Sequence, residues 1–144
     1  MTERGQSANG SWQSGSGDPA PMQSSIASYR DLRVWKMAVE LAVDCYRSTR
    51  HFPQSEIYGL TSQIRRCATS IPANIAEGYG RDSKGSYLNF LRISQGSLKE
   101  LETHLIISGR LEMLEANEEE DLLGKAGEVG KMLRALIRSI EKAV

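Results

Sequence analysis

From Tyr29 onward, apolar side chains return every third or fourth residue and nowhere alternate strictly, which commits this part of the chain to helices. The pattern falls into four segments. On the second, Ile57, Leu60, Ile64, Cys67, Ile71 and Ile75 step by three or four. On the third, Tyr87, Leu91, Ser94, Leu98, Leu101, Leu105 and Ser108 do the same, as do Leu122, Ala126, Val129, Leu133, Leu136 and Ile140 on the fourth. Four such seams joined by short connections predict an all-α fold, an antiparallel up-and-down four-helix bundle. Each Leu or Ile buried in it contributes about 1.5–3 kcal/mol before entropy.

Local signals set the expected boundaries. The first helix spans about 29–50, with Ser28 and Asp31 spaced as a capping box and Pro53 closing the connection. The second spans about 55–78, where Gly78 and Gly80 suit a left-handed cap. Pro72 lies inside it, lacks an amide for the carbonyl of Ala68, and predicts a kink. The third spans about 83–114 with Ser83 as its cap. The fourth spans about 118–143, capped by Asn117, with Glu118, Glu119 and Glu120 at the positive end of the helix dipole.

Residues 1–28 differ in kind. Gly5, Gly10, Gly15, Gly17, Pro19, Pro21 and six serines before Ser28 leave too little apolar area to offset ordering. This segment reads as a disordered tail, and 29–144 as the bundle. Trp12 is either a solvated tail residue or a docking anchor. Met22 is an alternative start, which would make 1–21 an upstream extension.

Several classes are excluded. The chain has 144 residues, enough for one core, and a mean hydropathy of −0.40. The longest uncharged stretch in the patterned region, 67–76, carries Thr, Ser, Pro and Asn and cannot span a bilayer. No basic-then-apolar signal opens the sequence, and two cysteines are too few for a disulfide scaffold, so a cytoplasmic protein with no membrane contact is expected.

The first helix is more apolar than a bundle requires. Arg33, Lys36, Glu40, Asp44 and Arg47 fall within an arc of roughly 80°, and every other residue from Val34 to Tyr46 is apolar. A bundle helix needs a stripe somewhat over 100° wide. On the second helix, Gly59, Ser62, Thr69, Ser70 and Ala73 replace the Lys and Glu of an ordinary solvated face. These features predict self-association, with Val34, Trp35, Val39 and Tyr46 on the first helix and Gly59, Ser62, Thr69 and Ala73 on the second at the subunit interface; a monomer with an apolar surface is the alternative. Past Pro72, Asn74 and Glu77 either gather with Arg66 and Ser70 into a buried polar cluster or lie at a solvated helix end.

Catalytic and metal chemistry find little support. A di-iron bundle needs inward glutamates and two Glu-x-x-His pairs. The only histidines are His51 and His104, and Glu100 and His104 stand four apart with no counterpart. Cys45 and Cys67 lie in apolar seams and read as buried thiols without a base. Gly78-Tyr79-Gly80 follows no strand and is no phosphate loop. No enzyme activity, cofactor or metal is expected.

Phe52-Pro53 followed by Glu56, Tyr58-Gly59-Leu60-Thr61, Gln63-Ile64-Arg65-Arg66, Ser70-Ile71-Pro72-Ala73-Asn74-Ile75-Ala76-Glu77-Gly78 and Gly96-Ser97-Leu98-Lys99-Glu100-Leu101-Glu102 resemble the four-helix-bundle family of 23S rRNA intervening-sequence proteins. The resemblance covers about 29–140. That family is distantly similar to the accessory variability determinant of diversity-generating retroelements, a basic pentameric barrel that binds the reverse transcriptase and nucleic acid. The resemblance implies an up-and-down bundle, a homopentameric ring and no established enzymatic activity.

The zero net charge is polarised. Residues 29–99 hold 11 basic and 6 acidic side chains, and residues 100–144 hold 6 and 10. The cations placed to meet RNA are Arg30, Arg33, Lys36, Arg65, Arg66, Arg81, Lys84 and Arg92; the alternative is a solvated charged face. A ring would repeat any weak phosphate contact. Two functions remain: a non-enzymatic oligomeric scaffold contacting RNA or a nucleic-acid-handling protein, or a protein-binding adaptor without nucleic-acid contact.

Overall fold

The computed structural model describes residues 26–143. The expected tail, with Trp12 and Met22, lies outside them apart from its last three residues. Those three are already packed or bonded: Ile26 rests on the core, and the amides of Ala27 and Ser28 donate to Asp31 Oδ2 at 2.8 and 3.2 Å.

Helix α1 spans Arg33–Ser48, α2 Leu60–Tyr79, α3 Lys84–Arg110 and α4 Ala116–Lys142. The Ser28–Asp31 capping box is present, but it caps a separate 3-10 turn, Tyr29–Asp31; extended backbone at Leu32 divides that turn from α1. Another 3-10 turn, Gln54–Glu56, precedes α2. Ser83 caps α3 as expected, accepting from Ser86 N at 3.1 Å.

Two local expectations are corrected. Helix α4 begins in a box formed by Glu115 and Glu118 rather than at Asn117, whose Oδ1 accepts from Glu118 N at 3.0 Å one step inside the helix. Gly80 closes α2 with φ −83°, so no left-handed residue is used there. The left-handed cap occurs instead after α3, at Glu112 with φ 63°. Glu112 N bonds to Gly109 O and Met113 N to Ser108 O, at 3.0 and 2.9 Å, the paired bonds of a Schellman motif. Pro72 is buried within α2, and the helix runs through it to Tyr79.

Each helix packs on two others: α1 on α2 and α4, and α3 on α2 and α4. The core between them holds Leu41, Cys45, Ile64, Ile71, Ile75, Leu91, Leu98, Leu101, Leu105, Leu122, Val129 and Leu133, all closed to solvent. The seams follow the sequence periodicity except at their ends. On α4, Ile137 is buried and Leu136 only half-buried; on α3, Leu88 is buried where Tyr87 was expected. A strict seven-residue repeat drifts by about 20° per heptad on a straight helix, so over a long helix the buried position moves to a neighbour. Ile57 lies before α2 begins and stays 41% exposed.

Two small residues allow the close approach of α2 and α3. A Cβ on Gly78 would stand 2.9 Å from Phe90 Cβ and 3.1 Å from Tyr87 Cδ1. Buried Ser94 on α3 donates to the Ile71 carbonyl at 2.9 Å, one residue before Pro72. The carbonyl that Pro72 leaves without its helical amide is that of Ala68, so the Ser94 bond ties α3 to the α2 backbone beside the proline and does not replace the lost bond.

Candidate interaction surfaces

The apolar surplus of α1 is narrower than its sequence suggests. Val34, Met37, Ala38, Leu41, Ala42 and Cys45 all turn into the core of the single chain. Val34, placed at the interface by the sequence reading, is 4% exposed and has no surface to offer; that assignment is corrected. Trp35 is half-buried, its ring edge-on to Tyr29 with centroids 5.2 Å apart. The covering ring comes from the 3-10 turn ahead of the helix.

What remains is a groove between α1 and α2. It measures about 420 Å³ and is lined by Val39, Ala42, Val43 and Tyr46, with Thr69 and Pro72 across from them and Arg47 and Arg50 at one end. Val43 and Tyr46 are 42% and 43% exposed. The Tyr46 ring is held in place: the Arg65 guanidinium lies 4.6 Å from its centroid, with Nε donating to Thr49 Oγ1 at 3.0 Å. The structure thus unites Val39, Tyr46 and Thr69 of the expected set. Ala73 is exposed one turn beyond Thr69, whereas Gly59 and Ser62 are half-buried near the start of α2 and do not line the groove.

The expected polar cluster forms in part. Asn74 Nδ2 donates to Ser70 O at 2.9 Å and Ser70 Oγ at 3.0 Å, and Ser70 Oγ meets Ser97 Oγ of α3 at 2.8 Å. Arg66 and Glu77 are not in it. Arg66 turns outward to Gln63, and Glu77 pairs with Arg81 on the exposed side.

The cations flagged for RNA do not converge. Arg30 and Lys36 are exposed and Arg33 half-buried at the start of α1, while Arg65 is spent on Tyr46 and Thr49. Arg81 pairs with Glu77 and stacks over Phe90; Lys84 donates to the carbonyls of Glu141 and Ala143; Arg92 pairs with Glu141. One concentration of positive charge does emerge, and the sequence supplied only Arg92 of it. Arg92, Lys99 and Arg134 line a groove of about 430 Å³ between α3 and α4, floored by Gly96, Leu98 and Gly130. Arg92 and Lys99 are seven apart on α3, a spacing that puts them on one face; the α4 contribution depends on how the helices are registered.

Cys67 also has company that its seam position did not reveal. Glu100 and His104 of α3 face it, and one ligand atom from each of the three residues lies within 4.8 Å of the other two. Both thiols are held protonated. Burial, with help from Asp44, pushes Cys45 up to about 12; burial, then the charge of Glu100 and a hydrogen bond to it, pushes Cys67 up to about 11. The ring nitrogens of His104 are both shut off from solvent without a hydrogen bond. Leaving such a polar group unsatisfied costs on the order of 1–3 kcal/mol.

Among the described residues, fold and surfaces together define a four-helix bundle with an apolar groove between α1 and α2 and a basic groove between α3 and α4. Residues 30–135 match the 23S rRNA-intervening sequence protein family, and the chain belongs to it. It is similar to the crystal structure of a protein of unknown function from the S23 ribosomal protein family of Bacteroides thetaiotaomicron, at 27% identity and a TM-score of 0.66, covering 72% of this chain and 97% of that one. No functionally curated protein matches it. Among the described residues no helix is long and apolar enough to cross a membrane.

Proposed function

We propose that this chain is a non-enzymatic cytoplasmic scaffold that assembles with copies of itself through the α1–α2 groove. The observation that carries the reading is the pair Val43 and Tyr46, two large apolar side chains more than two-fifths exposed beside a groove of Val39, Ala42 and Pro72. An exposed apolar patch rimmed by polar residues marks an interaction site. Arg47 and Arg50 supply such a rim here. The homopentameric ring implied by the family resemblance is the assembly we favour.

In such an assembly the Arg92–Lys99–Arg134 groove would be repeated in every subunit and could meet the phosphates of RNA. The pairing of Arg81, Arg92 and Lys99 with carboxylates of the same chain favours the second reading, an adaptor that binds protein alone. Filter binding of single-stranded RNA across a salt series separates the two. Phosphate contact gives an affinity that falls as salt rises and a slope that flattens in Arg134→Ala by about 0.7. Absence of binding at low salt, or binding indifferent to salt, supports the adaptor.

A further inference from the structure

We propose that Cys67, Glu100 and His104 form a binding site for a zinc-like divalent cation that clips α2 to α3. Cys67 projects from α2 and is 4% exposed. Glu100 and His104 stand one turn apart on α3 and share its face toward α2. Sγ, an imidazole nitrogen and a carboxylate oxygen all lie within 4.8 Å of one another. His104 supplies an independent indication: both ring nitrogens are closed to water and hydrogen-bonded to nothing, and Nε2 sits 3.7 Å from Glu100 Oε2, too far for a hydrogen bond. A buried imidazole lacking a partner at either nitrogen is what a ligand looks like before its metal arrives.

The donor set selects the ion. Thiolate and imidazole are soft to borderline ligands that suit zinc and discriminate against magnesium and calcium, which prefer oxygen alone. Tetrahedral zinc with such bonds would hold its ligand atoms roughly 3.3–3.8 Å apart; His104 Nε2 and Glu100 Oε2 already stand 3.7 Å apart, and no pair exceeds 4.8 Å, so the sulfur side closes by about 1 Å at most. Glu100 can provide that movement, because its side chain is 55% exposed while His104 is 20% exposed. The same exposure makes the Glu100 side the way in; with three ligands from the chain, the fourth position of such an ion would fall to water. On binding, the Cys67 S–H bond breaks, its proton leaves to solvent, and the sulfur's electron pair forms the metal bond.

The test is titration of the metal-free full chain with Zn2+ and, for a spectroscopic signature, with Co2+. One equivalent per chain, a thiolate-to-cobalt charge-transfer band and a higher Tm with Zn2+ are expected. Loss of even an outer-shell partner weakens metal sites by about 10–100-fold, so His104→Gln and Cys67→Ala should lose at least that much affinity and the latter the band. Glu100→Gln changes an exposed side chain, so it keeps the fold intact should the core variants unfold, and it should weaken Zn2+ measurably. Absence of the charge-transfer band in the wild-type chain, or equal Zn2+ affinity in wild type and Glu100→Gln, overturns the proposal.

Discussion

Lys125 of α4 and Asp44 of α1 join the first and last helices through an ion pair of 2.6 Å, with each side chain less than one-fifth exposed. Asp121 approaches the same ammonium at 3.3 Å and Arg47 the same carboxylate at 3.7 Å. This contact turns the Asp44 side of α1 toward α4, while Val43 and Tyr46 line the groove shared with α2. Replacing Lys125 by Met should cost about 1–3 kcal/mol in denaturant unfolding, the scale of a charge-assisted hydrogen bond. The pH dependence has a definite sign. Desolvation pulls the Lys125 pKa down, but the hydrogen bond and charge of Asp44, with Asp121, outweigh it and raise the pKa above the ordinary 10.5. A raised pKa contributes stability that is complete below 10.5 and lost as pH climbs through the folded-state value. Lys125→Met should therefore flatten the alkaline limb of the stability profile.

Glu112 occupies a left-handed position that glycine would adopt without strain, and its carboxylate stands at the negative end of α3. Glu112→Gly should stabilise the chain by about 0.5–1 kcal/mol, the strain relieved less the extra flexibility of unfolded glycine. Urea unfolding reads this as a higher midpoint at unchanged slope.

Gly78 tests the closeness of α2 and α3. Alanine is the better helix former by about 1 kcal/mol. Here, however, its methyl would press on Phe90 Cβ at 2.9 Å and Tyr87 Cδ1 at 3.1 Å. Overpacking typically costs about 1–3 kcal/mol, so Gly78→Ala should destabilise despite its helix propensity. Differential scanning calorimetry gives the sign: a lower Tm than wild type is expected, and a higher one would mean that the helices yield.

The fold was legible because its information is local and periodic. Ile64, Ile71 and Ile75, or Leu91, Leu98 and Leu105, declare a buried stripe with no knowledge of the partner helix. Ser28 with Asp31, and Ser83, declare helix or turn starts by side-chain chemistry alone. Glu115 went unseen because Asn117 is the stronger capping type, and Glu112 because nothing in a glutamate announces a left-handed backbone. The surfaces were less legible for a different reason. Whether Arg92 meets Arg134, or Cys67 meets Glu100 and His104, depends on the register between helices, which one sequence does not encode in any local pattern. Val34 illustrates the same gap: a helical wheel shows that α1 has more apolar residues than one stripe needs, but not how deeply α1 sinks between α2 and α4.

In the proposed assembly, Val43 and Tyr46 meet another copy of this chain. Sedimentation equilibrium of the wild-type chain and of Tyr46→Asp at micromolar concentration tests it most directly. A mass several times that of one chain is expected for wild type, and a shift toward single chains for the variant with its helical circular dichroism retained. A wild-type chain that sediments with the mass of one protomer would contradict it.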